Sequence, residues 1–383
     1  MSDFDELVNR YTPEDIKYEK IDGIDDLIPM WVADMDFRSP KEVIDSLVKV
    51  SQNGVFGYSE ADESYDKALT DWFKRRYDWN VDPKTVLKLP GVVLGVSLSI
   101  TALTKPGDSV LIFEPLYGPI GRAVRGNDRN LVISDLVRVG AHFEIDFDDV
   151  EKKIRENDVK MLVLCNPHNP AGRVWTREEL LKLGDICLKN NLIIVSDEIH
   201  ADFIHSGHKH IPIASLSDEL NKITVTCTSA TKSFNIAGIQ AANIVVADDT
   251  MRRTIDKHSM VTGAYGLNIM GITATRAAYT YGEEWLDELN RYIEGNYNLV
   301  KSRLANTKLK VTDVEGTYLI WIDASEVDSE DPAKYFLDKA HIRFSEGVFF
   351  SKKAKGFIRM NVACPRSIVN EALDRILKIP GIL

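Results

Sequence analysis

The chain has 383 residues, with 47 Lys+Arg against 58 Asp+Glu and a formal net charge of −11. That length accommodates two or three domains with a large core. A content of 44% hydrophobic and 27% charged residues is the balance of a folded chain, not a disordered one. The acidic surplus argues against a nucleic-acid partner, which would need clustered Lys and Arg to neutralise phosphates; it excludes little about small substrates.

Cys165, Cys187, Cys227 and Cys364 are scattered with no CxxC pair. This fits neither a disulfide scaffold nor clustered zinc ligands, and a reducing, cytoplasmic setting is expected. The start, MSDFDELVNRYTPED, lacks the basic and apolar segments of a signal peptide. The longest strongly apolar stretch, Val92–Leu103, is too short to span a bilayer, so no membrane association is expected.

Residues up to Phe37 read as irregular, with Pro29, Asp34 and Asp36 interrupting any helical period. Ser39-Pro-Lys-Glu42 then predicts a helix start, with Ser39 as N-cap, Pro40 at N1 and Glu42 closing a capping box. Val43, Ile44, Leu47 and Val48 follow at helical spacing. Short apolar runs at 86–89, 109–113, 131–133, 161–164, 192–196, 223–227 and 243–246 predict strands. Between them, 176–190 reads as a helix, with Thr176 and Glu179 as its capping box and Leu180, Leu183, Ile186 and Cys187 on one face. This alternation predicts an α/β fold, a mostly parallel seven-stranded sheet flanked by helices. After a helical stretch at 250–305, strands near 311–314, 318–322 and 356–361 with helices near 331–341 and 366–378 predict a smaller α+β domain. The expected division is an N-terminal segment 1–45 packing with the small domain, a large domain 46–284 and a small C-terminal domain 285–383.

Ligands of such sheets bind beyond the carboxyl ends of the strands, so the residues that follow each strand carry the chemistry. Pro90-Gly-Val-Val-Leu-Gly95 leads into the apolar helix at 92–104, a turn whose free N–H groups and helix dipole suit a phosphate. Cys165–Gly172 reads C-N-P-H-N-P-A-G, a rigid turn with two Asn-Pro pairs. Asp197-Glu-Ile-His200 places a carboxylate at a strand end, able to cap a helix or to pair with a buried cation. Thr228–Gly238 reads T-S-A-T-K-S-F-N-I-A-G, with Lys232 among small hydroxylated residues and close to Phe234 and Ile236. A lysine held near apolar surface and other cations has a depressed pKa and attacks carbonyls. A carbonyl-reactive Lys, an Asp for a protonated ring nitrogen, an Asn donor and a phosphate cradle with Ser229 nearby match the groups of pyridoxal phosphate.

N-P-H-N-P-A-G, D-E-I-H and S-A-T-K-S-F-N-I-A-G, in this order and at these intervals, resemble the fold-type I pyridoxal phosphate enzymes of the class I/II aminotransferase superfamily. P-M-W-V-A-D-M-D-F (29–37) and G-F-I-R-M-N-V-A-C-P-R (356–366) are similar to its cystathionine β-lyase-type C–S lyase branch. The resemblance covers nearly the whole chain. It implies that Lys232 bonds covalently to the cofactor aldehyde and later acts as base, that Asp197 holds the ring nitrogen protonated, and that Asn169 donates to the ring phenolate oxygen. Tyr117 would stack on the ring, and the N–H groups of Val92 and Val93 would bind phosphate with Ser229. Arg359 would hold the substrate α-carboxylate, a pairing suited to its fork of donors. Tyr58 resembles a tyrosine that reaches the phosphate from the neighbouring subunit, which implies a homodimer.

Two positions depart from the aminotransferase pattern: His200 stands where a Tyr is usual, still able to reach the phenolate oxygen, and Gln240 stands where an Arg on the phosphate is usual. Both suit the lyase branch. The expected activity is therefore α,β-elimination of cystathionine or related S-substituted cysteines to pyruvate, ammonia and a thiol; transamination of an L-amino acid to a 2-oxo acid is the alternative, because both use the same residues. Glu346-Gly-Val-Phe-Phe350 is less glycine-rich than the resemblance leads one to expect before the Arg359 strand. His200, His205, His208 and His210 lack the spacing of a metal site and read as a solvated hairpin with His200 alone turned to the cofactor. Asp34 and Asp36 read as polar groups that fix a loop, and Cys364 as a structural thiol.

Overall fold

The computed structural model describes residues 3–10 and 12–383. All seven predicted strands form, in the spatial order Val86–Leu89, Ala242–Val246, Thr224–Thr228, Ile193–Asp197, Val159–Cys165, Ser109–Glu114 and Asn130–Asp135. Ala242–Val246 runs antiparallel to both neighbours, and the remaining pairs are parallel. From Met161 to Cys165, successive residues of the strand Val159–Cys165 are buried on opposite faces. Met161 and Val163 pack with Val96 and Ile100 of the helix Val92–Leu103. Leu162 and Leu164 pack with Trp175, Leu180 and Leu183 beside the helix Arg177–Lys189. Burial on both faces explains why these strands read as continuous apolar runs. A second, four-stranded antiparallel sheet contains Leu319–Asp323 and Phe357–Asn361 and is backed by Pro332–Ala340 and Arg366–Leu377.

The two predicted capping boxes fare differently. Thr176 and Glu179 form theirs, each side chain bonded to the other's backbone N–H. Ser39 does not: Pro40 is the N-cap residue of Lys41–Asn53, and the Ser39 hydroxyl donates to the Asn235 carbonyl at 3.2 Å. A proline in extended backbone before the helix leaves Ser39 one residue too far back to reach its first N–H groups. On the same helix Val43 is buried, whereas Ile44 and Val48 are 37% and 46% exposed.

Residues 31–37 form a strap between the two sheets, and its backbone carbonyls are tied from both sides. The Asn361 amide donates to Val32 O and Asp34 O, both at 2.6 Å. The Asn235 amide donates to Met35 O and Phe37 O and accepts from Met35 N–H. Asp36 accepts from Arg10 at 2.7 Å and from Lys17 at 2.9 Å, and Asp34 accepts from Arg10 at 2.8 Å. The two aspartates are thus engaged in fixing the loop. Lys17 is only 1% exposed, so Asp36→Asn would leave a buried ammonium short of its best partner. That is expected to destabilise the protein by about 3 kcal/mol, read as a fall in the thermal midpoint against wild type; an unchanged midpoint would show that Asp34 alone balances Lys17.

Candidate active site

A cavity of about 730 Å³ opens between the carboxyl ends of the large-sheet strands, the strap and the antiparallel sheet. Asp197, Asn169, His200, Lys232, Tyr117 and Arg359, predicted from sequence, all line it, as do Val92 and Val93. Asp197 ends Ile193–Asp197, in register with Cys165 and Cys227 on the adjacent strands. Its neighbour Glu198 is anchored behind the sheet by His210 at 2.9 Å and by Ser196 at 2.8 Å. Lys232 lies on the short helical turn Ala230–Ser233, whose Ser233 hydroxyl donates to buried Asp202 at 2.5 Å; Trp72 and Tyr77 donate to the same carboxylate. The two charged residues therefore project into the cavity from backbones fixed on the far side.

The electrostatics are those of a dry, mixed-charge site. Burial raises the Asp197 carboxyl to about 6, the Ile199 N–H opposing. Burial lowers Lys232 to about 8, with Arg359 adding to the shift and Asp34 and Asp197 opposing it. Burial, then Lys232 and Arg359, lower His200 to about 3, so its ring is neutral near pH 7. Burial draws Arg359 down to about 10, which still leaves it cationic. Its Nη1 donates to Asn169 Oδ1 at 2.9 Å, and its Nη2 donates to Trp31 O at 2.8 Å and to Ser345 Oγ at 3.1 Å. The Nε–H has no partner among the described residues. With Asn169 Oδ1 occupied by Arg359, its amide N–H₂ is left to donate into the cavity.

The lysine shift is testable. In cofactor-free protein, timed labelling with an amine-selective reagent is expected to modify Lys232 with a midpoint near pH 8, and mass spectrometry of the peptide would read it. A midpoint at the ordinary lysine value would refute the desolvation argument.

These residues fit pyridoxal phosphate. The Asp197 carboxylate is buried, faces the cavity, bonds Ile199 N–H at 3.2 Å and has no cation at ion-pair distance among the described residues. Such a carboxylate suits a protonated ring nitrogen. His200 Nδ1 is buried without a hydrogen-bond partner. The helix Val92–Leu103 begins at Gly91 with no side-chain cap, so its first N–H groups are free at the cavity wall. A Cβ at Gly91 would meet nothing within 4 Å, which leaves the approach open for a phosphate.

Other predicted residues lie elsewhere. Ser229 does not line the cavity: its hydroxyl donates to Ala241 O and meets the Thr231 hydroxyl, both at 2.6 Å, and Thr231 faces the cavity instead. Gln240 lines the cavity, with a left-handed φ of 58°. Tyr58 is fully exposed and outside the cavity. Of the two Asn-Pro turns, both cis, only the second faces the cavity; Asn166 donates to Ile211 O and accepts from Trp175 N–H. The histidine segment is not a solvated hairpin. His205 is buried on Thr317 O at 3.1 Å and His210 on Glu198, and only His208 of the four is exposed. The burial of Phe203 beside Tyr318 carries that segment inward. Cys364 is buried, and burial raises its thiol well above the ordinary value.

Several cavity residues had no individual role in the sequence reading, although Ala33 and Phe349 lie in strings it singled out. The Ala33 carbonyl accepts from both Lys232 Nζ and the Tyr318 hydroxyl. Ser345, Arg343 and Phe349 line the wall beside Arg359. Gly347 explains the sparse glycine of that loop, since a Cβ there would lie 1.9 Å from Ala354 O. One glycine at the point of closest approach suffices.

Fold and site together define a fold-type I pyridoxal phosphate enzyme. Residues 25–376 match the family described as aminotransferase class I and II, and the chain belongs to it. It is 39% identical to cystathionine β-lyase PatB of Bacillus subtilis (strain 168), over 97% of this chain and 98% of that one. A pyridoxal phosphate-bound structure from Clostridium difficile 630, described provisionally as an aminotransferase, is 41% identical with a TM-score of 0.94 and covers 98% of both chains. The pyridoxal phosphate-bound C–S lyase of Staphylococcus hominis is 34% identical with a TM-score of 0.91, covering 98% of this chain and 97% of that one. The cofactor is pyridoxal 5'-phosphate. Among the described residues, no helix is long and apolar enough to cross a membrane.

Proposed function

We propose that the protein is a C–S β-lyase that converts cystathionine or related S-substituted L-cysteines to pyruvate, ammonia and a thiol. The observation that carries this reading is the end-to-end likeness, at 39% identity, to a protein named cystathionine β-lyase. When bound, pyridoxal phosphate supplies an aldehyde that takes up the substrate amine and a protonated ring that withdraws electrons from Cα.

The chain's own residues divide the remaining work. Asp197 would hold the ring nitrogen protonated, Asn169 and His200 would address the phenolate oxygen, and Tyr117 would pack against the ring. The N–H groups of Val92 and Val93 would bind the phosphate, with Thr231 lining the cavity and bonded to Ser229. Arg359 orients the substrate carboxylate through the donors its own contacts leave free. Lys232, with a depressed pKa, takes the Cα proton as general base. Loss of the thiolate from Cβ, which takes up a proton as the free thiol, completes the elimination, and water then hydrolyses the released enamine to pyruvate and ammonia. Tyr58, exposed next to exposed Phe56 and Val55, fits a residue that reaches the phosphate of a second copy in a homodimer.

Transamination is the second reading, favoured by the aminotransferase description of the 41%-identical structure. Purified holoenzyme mixed with L-cystathionine and no 2-oxo acid decides between them. Pyruvate and free thiol in equal amounts support the lyase. No product, with an absorbance shift to the pyridoxamine form on adding amino acids, supports the aminotransferase.

A further inference from the structure

One backbone carbonyl of the strap faces the reactive amine. Ala33 lines the cavity, and its carbonyl oxygen accepts from Lys232 Nζ. Among the described residues no carboxylate lies at ion-pair distance from Lys232, so the carbonyl is its direct partner. Asp34 and Asp197 favour the cation from farther away, and Arg359 opposes it.

Two side chains of the antiparallel sheet fix where that carbonyl points. Tyr318, the residue before the strand Leu319–Asp323, donates its hydroxyl to the same Ala33 O at 3.0 Å. Its buried ring packs edge-on against Phe203 at 4.8 Å and against His200 at 6.0 Å between centroids. Asn361 ends the neighbouring strand, in register with Leu319, and is buried as well. Its amide N–H₂ donates to Val32 O and Asp34 O, while its Oδ1 accepts from Ala363 N–H at 2.8 Å. The carbonyls on either side of Ala33 are therefore held on Asn361, and the one between them is held on Tyr318 and Lys232. Neither Tyr318 nor Asn361 lines the cavity, so both reach the lysine only through the strap.

We propose that Tyr318 and Asn361 are positioning residues that hold the Ala33 carbonyl on Lys232, as a fixed dipole for the positive charge that forms there when the amine takes the Cα proton. The inference rests on the reading of Lys232 as the base and adds what steadies it. The lone pair of neutral Nζ takes the proton, the electrons of the broken C–H bond stay with the substrate, and the new ammonium donates to Ala33 O. A dipole already in place needs no reorganisation as the charge appears. Tyr318 does not compete for it, because a carbonyl oxygen has two lone pairs and the hydroxyl uses one.

The test uses Tyr318→Phe, which keeps the packed ring and removes only the hydroxyl, and Asn361→Ala. Exchange of the Cα hydrogen of L-alanine for deuterium in D₂O, catalysed by the holoenzyme, reads the proton step without any leaving group. In Tyr318→Phe its kcat is expected to fall about fivefold, the scale of one hydrogen bond, with KM unchanged because Arg359 keeps its partners. Asn361→Ala loses two bonds to the strap and is expected to lose more. A second readout needs no turnover: in the full chain freed of cofactor, timed amine labelling of Lys232 in Tyr318→Phe is expected to shift its midpoint down by about half a pH unit, because the ammonium is less well held. An unchanged exchange rate would overturn the proposal, as would a loss carried by KM. A labelling midpoint that stays or rises would overturn it too, since the hydroxyl would then be idle or a competitor. Tyr318→Phe carries the test even if Asn361→Ala fails to fold. If exchange persists in Lys232→Ala, the reading of that residue as the base fails, which is a different result.

Discussion

Lys232→Ala is expected to lower pyruvate release from L-cystathionine by at least about a thousandfold, the scale on which a positioned general base acts. Among the described residues no other amine lines the cavity: the remaining cations there are the guanidiniums of Arg343 and Arg359. His200 is neutral, but its ring packs against Tyr318 at 6.0 Å between centroids and is committed to the cavity wall. The loss should appear in kcat, with KM little changed, because Arg359 and its partners remain. Folding should be unaffected, since the turn is held by Ser233 and Asp202 and not by the amine. Borohydride treatment of wild-type holoenzyme should fix the cofactor to the peptide containing residue 232, and in the variant to no peptide. Residual turnover within tenfold of wild type would assign the base elsewhere.

Asp197→Asn is expected to cost about a hundredfold to a thousandfold in kcat, the range for removing one pre-organised electrostatic partner. The strand end holds this carboxylate in a place where solvent cannot substitute for it. The same burial gives a second readout. In cofactor-free wild type the carboxyl is raised from 3.8 to about 6. Between those values the folded protein holds a proton that the unfolded chain releases. Its contribution to stability is present at low pH and is lost as pH rises through about 6. Asn cannot titrate, so the thermal midpoint of cofactor-free Asp197→Asn should lack that component of the decline. Parallel profiles for the two proteins across that window would show that the carboxyl is not desolvated as described.

The large sheet was legible because both of its faces are buried, which writes each strand as an apolar run bounded by turns. The residues after those strands could then be read as a ligand site. Thr176 announced its helix correctly, its hydroxyl accepting from Glu179 N–H as the motif requires. Ser39 carried the same signature, but a tertiary partner, the Asn235 carbonyl, took its hydroxyl. The histidine segment misled for a similar reason: polar residues at close spacing look solvated until Thr317 O and Glu198 are known to meet them. The strap was the least legible part. Its ties run to backbone carbonyls at 32, 33, 34, 35 and 37, and a carbonyl has no sequence signature.

The strap also sets an order of events during synthesis. Trp31 O accepts from Ser345 across 314 residues of chain, and from Arg359 across 328. Its strand, Ile28–Pro29, leaves the ribosome long before Ile342–Arg343, the strand it pairs with, exists. At roughly 5–20 residues per second, the wait is on the order of tens of seconds. The strands that carry Asp197 and lead to Lys232 have all emerged by then and can assemble the phosphate and ring ends of the pocket. The cavity wall that carries Ser345 and Arg359 is the last part the nascent chain completes.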